Sequence, residues 1–252
     1  MASKSTDSGA AGDGGVCTGG GACTGGGACP SGAYASALDA KWQICQTGRQ
    51  LYELRYGAAN DGNLSVRTGA DEIWATPTAV SKGFMTEDML VCVSLSGEKL
   101  SGGRNPSTEM KMHLQVYSAL PEVGAVVHAH PPLATAFAVC RRPLDKNYMP
   151  EGIVALGTVP VAEYATPSTD AVPRSVAPYL NGEYSAVLLA NHGVLTWGLT
   201  LEDAFFKLQI VEYMAGIYMN TDRLGGGVEL PDGETQKLRQ MRRFYTEYGK
   251  SQ

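Results

Sequence analysis

Three of the four histidines in the sequence stand where they could bind one metal ion. His128 and His130 are separated by a single residue and follow the apolar run 124–127. Because side chains at alternate positions of a β-strand point to the same face, these two imidazoles should converge on one side. His192 follows a second apolar run, 185–190, and completes a three-histidine site if the two strands are neighbours. Three imidazoles with an open coordination position are typical of a catalytic zinc site.

Zinc is the expected ion, and imidazole also suits other divalent ions. The alternative is that each histidine is a separate polar residue with its own hydrogen-bond partner. A single histidine would favour that interpretation, whereas a closely spaced pair plus a third strand-end histidine favours a metal. The remaining histidine, His113, falls inside a predicted helix and is interpreted as a packed or surface residue.

The segment Asn105-Pro-Ser-Thr-Glu109 could form a phosphate cradle. A predicted helix begins here, and a helix N-terminus presents free backbone N–H groups and the positive end of the dipole. Ser107 and Thr108 add hydroxyl groups, and Glu109 lies in the first turn. Taken alone, the segment is better explained as an ordinary helix cap with an acidic residue that complements the dipole.

Two short loops carry the same kind of signal. Asp61-Gly-Asn63 and Thr76-Pro-Thr78 border predicted strands. Backbone amides in such turns can bind anions. Plain turn chemistry explains each loop better when it is considered singly.

The elements that must position these residues are predicted from hydrophobic periodicity and from turn residues. Ser107 is the expected N-cap of the second helix, and Thr200 with Asp203 resembles a capping box. Helices and strands alternate irregularly, which predicts an α/β fold: a single three-layer α/β/α domain with a central mixed or mostly antiparallel sheet. The predicted helices are 35–56, 106–120 and a core helix from residue 200, and the predicted strands are 62–67, 72–76, 89–94, 124–127 and 185–190.

Three cysteines within the predicted α/β domain have apolar neighbours in the sequence. Cys45, Cys92 and Cys140 are therefore predicted to be buried free thiols rather than members of disulfides. The first helix is expected to place Leu38 and Trp42 near the same face as Cys45.

Length and composition are those of an ordinary globular protein. A chain of 252 residues can bury one substantial core, and 44% apolar with 18% charged residues is typical of that class. The net charge of −5 provides no electrostatic reason to bind nucleic acid. No apolar run reaches the roughly 18 residues of a membrane span, and no secretory signal is recognised, so a cytoplasmic protein without membrane partners is expected.

Residues 1–34 differ from the remainder, which is the predicted catalytic domain, 35–252. The stretch Cys17-Thr-Gly-Gly-Gly-Ala22 is repeated as Cys23-Thr-Gly-Gly-Gly-Ala28. Such glycine density cannot bury enough apolar surface to offset chain entropy, so a flexible leader is predicted. The alternatives are a thiol metal site, a tether or a tail added for expression; the cysteine spacing matches no common zinc pattern.

In order along the chain, these motifs resemble the class II aldolase and adducin family, and within it the L-fuculose-phosphate aldolase branch. The similarity extends from about Ala37 to Gly249. The segments that carry the resemblance are Gly62-Asn-Leu-Ser-Val-Arg67, Thr76-Pro-Thr78, Pro106-Ser-Thr-Glu109, His128-Ala-His130 and Asn191-His-Gly193.

The resemblance implies a fold, an assembly and a set of site residues. It implies a single α/β/α domain that forms a four-fold symmetric homotetramer with zinc sites at subunit interfaces. By position, the zinc ligands are His128, His130 and His192, the catalytic glutamate is Glu109, and the phosphate-binding groups are Gly62, Asn63, Thr78, Ser107 and Thr108. Tyr148 matches an active-site tyrosine, and Tyr248 matches a C-terminal tyrosine that reaches a neighbouring subunit's site.

The resemblance also implies a reaction, the reversible retro-aldol cleavage of a ketose 1-phosphate to dihydroxyacetone phosphate and a short aldehyde. A sugar-phosphate 4-epimerase is one alternative within the same fold. Such epimerases typically have Asp where this chain has Glu109, which favours the aldolase. Two further alternatives are a methylthioribulose-phosphate dehydratase and a non-catalytic scaffold like the adducin head. A scaffold of that kind is expected to have lost metal ligands, and this sequence retains all three histidines. One departure is Ala79, which stands where the family often has Gly and could reshape the phosphate pocket.

Overall fold

The computed structural model describes the backbone of residues 36–250 and side chains as far as residue 245. The leader predicted for residues 1–34 lies outside the described residues. Within the described part, no helix has the length and apolar character needed to cross a membrane.

The centre of the fold is an eight-stranded sheet. Only β6 and β7 pair in parallel, and every other neighbouring pair within the described chain is antiparallel. This arrangement confirms the predicted mixed, mostly antiparallel sheet. The strands are β1 (Asn63–Gly69), β2 (Glu72–Ala75), β3 (Val91–Val93), β4 (Lys99–Ser101), β5 (Ala125–Ala129), β6 (Val161–Ala162), β7 (Ala186–Leu189) and β8 (Gly193–Gly198), in the order β4-β3-β2-β1-β5-β8-β7-β6.

Helices cover both faces of the sheet, which confirms the three-layer prediction. Residues of α1, α3 and α6 share one hydrophobic core with one face, and residues of α2 and α5 share a second core with the other. The helices are α1 (Ala37–Glu53), α2 (Met110–Ala119), α3 (Pro132–Val139), α4 (Pro150–Ala155), α5 (Ala171–Val176), α6 (Leu201–Arg223) and α7 (Asp232–Lys250).

Strand β5 lies in the middle of the sheet, between β1 and β8. Every one of its residues is buried, because helices cover it on both faces. Its side chains alternate: Val127 enters the core with α1, α3 and α6, and Val126 enters the core with α2 and α5. His128, two residues after Val126, therefore points to the face covered by α2.

Helix α2 begins at Met110, four residues after the predicted start at residue 106, and Ser107 is not its N-cap. The backbone N–H of Thr78 donates to the carbonyl of Asn105 at 3.0 Å, and Pro77 and Pro106 form a β-bridge. This pairing holds residues 105–106 extended, so the helix cannot start there.

Two packing predictions are wrong and one cap is confirmed. Leu38 and Trp42 are exposed, because α1 buries the face that carries Ala40 and Ile44 instead. Cys140 is exposed at the end of α3, whereas Cys45 and Cys92 are buried free thiols as predicted. At the start of α6, the side chain of Thr200 accepts a hydrogen bond from the N–H of Asp203 at 3.1 Å, which confirms the capping role of Thr200.

Candidate metal centre and active site

The structure brings His128, His130 and His192 together. Their ring centroids lie 4.7 to 4.9 Å apart, and one nitrogen from each ring lies within 4.8 Å of the others. His128 is the second-to-last residue of β5, and His130 follows one residue after the strand ends. The alternation of the strand therefore places both imidazoles on the same face, as the spacing predicts.

His192 reaches the cluster through a hairpin. It lies in the tight turn between β7 and β8, where its N–H donates to the carbonyl of Leu189 at 2.9 Å. On this side of β5 the neighbouring strand is β8, which follows His192 in the sequence. Strand β7, the apolar run that precedes His192, lies one strand farther away. The sequence indicates that a strand end carries His192, and the sheet order brings that end beside β5.

Hydrogen bonding and burial prepare these imidazoles for a cation. The Nδ1–H of His128 donates to the carbonyl of Val194 at 2.8 Å, so Nε2 of this neutral ring bears the lone pair. Burial lowers the pKa of His128 well below its usual range, and the neighbouring imidazoles lower it further. Burial and then His192 lower the pKa of His130. Neutral imidazole is the form that binds metal.

Asp61 lies behind His130. Its Oδ2 atom is 3.5 Å from Nδ1 of His130. A carboxylate in this position favours a proton on Nδ1 and leaves Nε2 for a metal, as is common for metal-binding histidines. The sequence pattern around Asp61 indicates only a turn, so this role of Asp61 could not be predicted from it.

Glu109 lies against the imidazoles. Its Oε1 is 3.3 Å from Nε2 of His192, and its Oε2 is 3.4 Å from Nε2 of His128. Oε1 is buried and has no hydrogen-bond partner within the described part of the chain. A buried carboxylate oxygen without a donor is costly unless a cation or substrate group completes it. The three converging imidazoles fit a divalent metal ion, and the unpartnered oxygen beside them fits a cation or a substrate group at the same point.

Glu212 supports the segment that follows His130. This buried side chain of α6 accepts hydrogen bonds from the backbone N–H groups of Leu133 and Ala134, at 3.0 and 2.7 Å. Both groups belong to the first turn of α3, whose N–H groups have no partner within the helix. The apolar periodicity of α6 predicts only a packing helix, and only the tertiary structure shows this contact.

The expected phosphate-binding residues gather in adjoining loops. The backbone bond between Thr78 and Asn105 joins two of these loops, and Ser107 accepts from the N–H of Glu109 at 3.3 Å. Gly62 has a φ of +79°, and a Cβ there would meet the carbonyl oxygen of His128 at 2.9 Å, so only glycine fits. Ala79 has a φ of +57°, which accords with the family's frequent glycine at this position.

Two of these residues are engaged within the chain. The side chain of Asn63 is buried, and its Nδ2 donates to Oε2 of Glu109 at 2.8 Å rather than pointing to an open loop. The hydroxyl of Thr108 lies 2.7 Å from the hydroxyl of Ser168, in the loop before α5. Ser168 has a φ of +65°, uncommon for a residue with a side chain.

Of the two tyrosines suggested by the resemblance, Tyr148 packs outside the cluster in this chain. The Tyr148 ring packs edge-on against Tyr218 of α6, with centroids 5.1 Å apart, and lies close to Gly227. The side chain of Tyr248 lies outside the described residues.

Lys82 is a buried cation that no sequence motif indicates. Its ammonium donates to the carbonyls of Asn60 and Val80, at 2.6 and 2.8 Å, and so ties together the loops before Gly62 and after Thr78. Burial lowers its pKa to about 8, and the nearby carboxylates of Asp61 and Glu109 oppose that shift. A positive charge at this position favours an anion in the adjoining loops.

Comparison with known proteins agrees with this geometry. The profile of the family described as Class II Aldolase and Adducin N-terminal domain matches residues 42–219. An L-fuculose phosphate aldolase of Methanococcus maripaludis is 30% identical over 173 residues, which cover 69% of this chain and 91% of that protein. A 3-oxo-tetronate 4-phosphate decarboxylase of Pectobacterium atrosepticum is 34% identical over 181 residues, which cover 70% and 82%.

A solved structure of an L-fuculose 1-phosphate aldolase has the same fold. It superimposes with a TM-score of 0.76 at 34% identity and covers 85% of this chain and 99% of that one. The chain therefore belongs to the class II aldolase and adducin family. It is an enzyme of the class II, metal-dependent lyase type.

Proposed function

We propose that this chain is a zinc-dependent aldolase that reversibly cleaves a ketose 1-phosphate to dihydroxyacetone phosphate and a short aldehyde. The observation that carries the proposal is the position of Glu109. Its carboxylate lies 3.3 to 3.4 Å from two imidazoles of the three-histidine cluster, so an acid/base group and metal ligands face the same point. Metal-dependent aldol cleavage uses these two functions together.

The ion would be held by His128, His130 and His192. Zinc is proposed because three imidazoles with an open coordination position suit it. When bound, the ion acts as a Lewis acid on substrate oxygens and stabilises the negative charge that carbon–carbon cleavage leaves on the substrate.

Glu109 carries the proton step. Breaking the bond between C3 and C4 leaves the electron pair on C3, and Glu109 delivers a proton to that carbon. In the synthetic direction, Glu109 removes the same proton from dihydroxyacetone phosphate. Tyr148 donates a proton to the aldehyde oxygen in the synthetic direction, and its phenolate takes that proton from the C4 hydroxyl during cleavage. Because Tyr148 packs on Tyr218 within its own chain, we assign this role to the site of a neighbouring subunit.

The loops near Lys82 are proposed to bind the phosphate. Gly62, Thr78, Ser107 and Thr108 provide backbone and hydroxyl donors there, and phosphate affinity would hold the reacting carbons in register with the metal. Asn63 stays a phosphate-binding residue only on the strength of the resemblance, since its side chain is bound to Glu109 and its backbone pairs with His128 of β5.

A homotetramer with active sites at subunit interfaces completes the proposal, with Tyr148 and Tyr248 serving neighbouring sites. The cytoplasmic location expected from the sequence stays a prediction.

Decarboxylation of a phosphorylated 3-oxo acid is a second candidate, favoured by the 34%-identical decarboxylase. Loss of carbon dioxide and loss of an aldehyde both leave an electron pair beside a carbonyl group, so one site could support either reaction. The epimerase, the dehydratase and the non-catalytic scaffold remain alternatives.

Product analysis separates these candidates. The purified protein is incubated with L-fuculose 1-phosphate, 5-deoxyribulose 1-phosphate, 5-methylthioribulose 1-phosphate, ribulose 5-phosphate and 3-oxo-tetronate 4-phosphate, and metal content is measured in parallel. The aldolase proposal expects dihydroxyacetone phosphate plus an aldehyde from one of the first three, and about one zinc per chain. Release of carbon dioxide, epimerisation at C4 or elimination of water as the main reaction would overturn it, as would full activity in metal-free protein.

A further inference from the structure

A chain of five buried or half-buried polar side chains runs from Glu109 into the core between β1 and α2. Asn63 and Ser65 alternate on β1, and His113 and Tyr117 are one turn apart on α2, so the two pairs face each other. Oε2 of Glu109 accepts from Asn63 at 2.8 Å, and Asn63 Oδ1 lies 2.5 Å from Nε2 of His113. Nδ1 of His113 lies 2.7 Å from the Ser65 hydroxyl, which lies 2.9 Å from the Tyr117 hydroxyl.

The donor and acceptor chemistry of these groups fixes which one donates in each hydrogen bond. A carboxylate oxygen only accepts, so Asn63 must present its NH₂ group to Glu109 and its oxygen to His113. That oxygen requires a hydrogen on Nε2 of His113. Burial lowers the pKa of His113 to about 3, so the ring is neutral and Nδ1 must accept from Ser65. Because the Ser65 hydroxyl donates its one hydrogen to His113, it can only accept from the Tyr117 hydroxyl.

This order has a consequence for the two oxygens of Glu109. If the amide of Asn63 turned over, its NH₂ would face the N–H of His113 and its oxygen would face the carboxylate. Both contacts would be repulsive in a buried environment where polar groups need partners. Oε2 is therefore held by a donor, whereas Oε1 is buried without a hydrogen-bond partner among the described residues and faces His192.

We propose that His113 is a positioning residue: it fixes the Asn63 amide so that Glu109 is anchored through Oε2 and exchanges the substrate proton through Oε1. The inference rests on the proposed function. In it, Oε1 takes a proton from C3 of dihydroxyacetone phosphate, the electron pair stays on the substrate as an enediolate, and a proton from the same oxygen returns to C3.

The test uses dihydroxyacetone phosphate alone in deuterated water, with loss of its C3 proton signal followed by NMR. His113→Leu removes both ring nitrogens. We expect it to slow exchange by up to about 10²-fold, as expected for a displaced acid/base group, with unchanged half-saturation by dihydroxyacetone phosphate and unchanged metal content. His113→Gln, whose amide N–H can still donate to Asn63, should recover most of the rate.

Variants farther along the chain provide a graded comparison and cover the case in which His113→Leu fails to fold. Ser65→Ala should reduce exchange less than His113→Leu, and Tyr117→Phe should reduce it least. Tyr179→Phe is the matched control, because its hydroxyl donates to the carbonyl of Val161 and has no contact with this chain of side chains. Wild-type rates in both His113→Leu and Ser65→Ala would overturn the inference, as would equal losses in His113→Gln and His113→Leu.

A second measurement keeps this inference separate from the proposed function. In ¹⁵N-labelled protein at neutral pH, His113 should be the neutral tautomer with its hydrogen on Nε2, and that hydrogen should exchange slowly with solvent. A hydrogen on Nδ1 would overturn the inference whatever the enzyme does. Wild-type protein that never exchanges the C3 proton while His113 shows the expected tautomer would overturn the proposed function instead.

Discussion

Gly193 lies against the imidazole of His130: a Cβ built on Gly193 would come within 2.5 Å of Cδ2 of His130. It would also come within 2.6 Å of the carbonyl oxygen of Ala129, the last residue of β5. The first residue of β8 must therefore lack a side chain for the two strands to pair beside the metal centre.

Gly193→Ala should displace either β8 or the His130 ring. Such overpacking typically costs about 1–3 kcal/mol of stability, and we expect weaker metal binding as well. Thermal unfolding and competition with a chelator measure the two effects. Gly103→Ala is the control, because a Cβ there meets nothing within 4 Å. A Gly193→Ala protein that binds metal as tightly as the wild type would contradict the proposed site.

Asp61→Asn tests the carboxylate behind His130. An amide can still contact the ring, but it no longer favours a proton on Nδ1 through its charge. Loss of a partner of this kind typically reduces metal affinity about 10–100-fold, and we expect that range in a zinc competition titration. Asp222→Asn removes a carboxylate that instead pairs with Arg142 at 2.8 Å, and it should bind zinc normally. Equal affinities in the two variants would argue against the role of Asp61.

Glu109→Gln tests the acid/base assignment. The substitution keeps the size of the side chain and removes its ability to transfer a proton. Turnover should fall by about 10²–10⁴-fold, the usual contribution of general acid–base catalysis. The metal should remain bound, because the three imidazoles are untouched. Glu234→Gln, at an exposed glutamate paired with Lys237, is the control. Loss of the metal from Glu109→Gln would identify Glu109 as a structural ligand and refute the proposed mechanism.

Lys82 predicts a dependence of stability on pH. Its folded pKa is lowered to about 8 from 10.5, so between these pH values the unfolded chain binds more protons than the folded one. The Lys82 contribution to the free energy of unfolding therefore rises as the pH increases through this window, by at most about 1.4 kcal/mol per pH unit. Denaturant unfolding of Lys82→Met across the window should lack that rise, whereas Lys237→Met, at an exposed lysine, should retain it.

Deletion of residues 1–34 should leave turnover and thermal stability nearly unchanged. The reason is compositional: a segment this rich in glycine buries too little apolar surface to offset its chain entropy. Kinetic assays and thermal unfolding of the shortened and full-length chains provide the comparison. A large loss of either property would assign the leader a structural role.

The sequence by itself determined the features that depend on local geometry. Alternation along an apolar strand was enough to place His128 and His130 on one face, and the cap formed by Thr200 follows from residues three apart. The layered α/β fold followed from the spacing of apolar residues. These predictions succeeded because strand and helix periods act within a few residues, whatever the rest of the chain does.

Only the tertiary structure decided the contacts between segments far apart in the chain. The bridge between Pro77 and Pro106 delays α2 until Met110, and no residue of α2 reveals it. The hydrogen bond from Asn63 to Glu109 joins residues 46 positions apart and turns an expected phosphate ligand towards the carboxylate. His113 was interpreted as an ordinary helix residue because its partners belong to another element. The sequence pattern indicates which face of a strand or helix a side chain occupies. The order and register of the strands in the sheet determine which residues that face contacts.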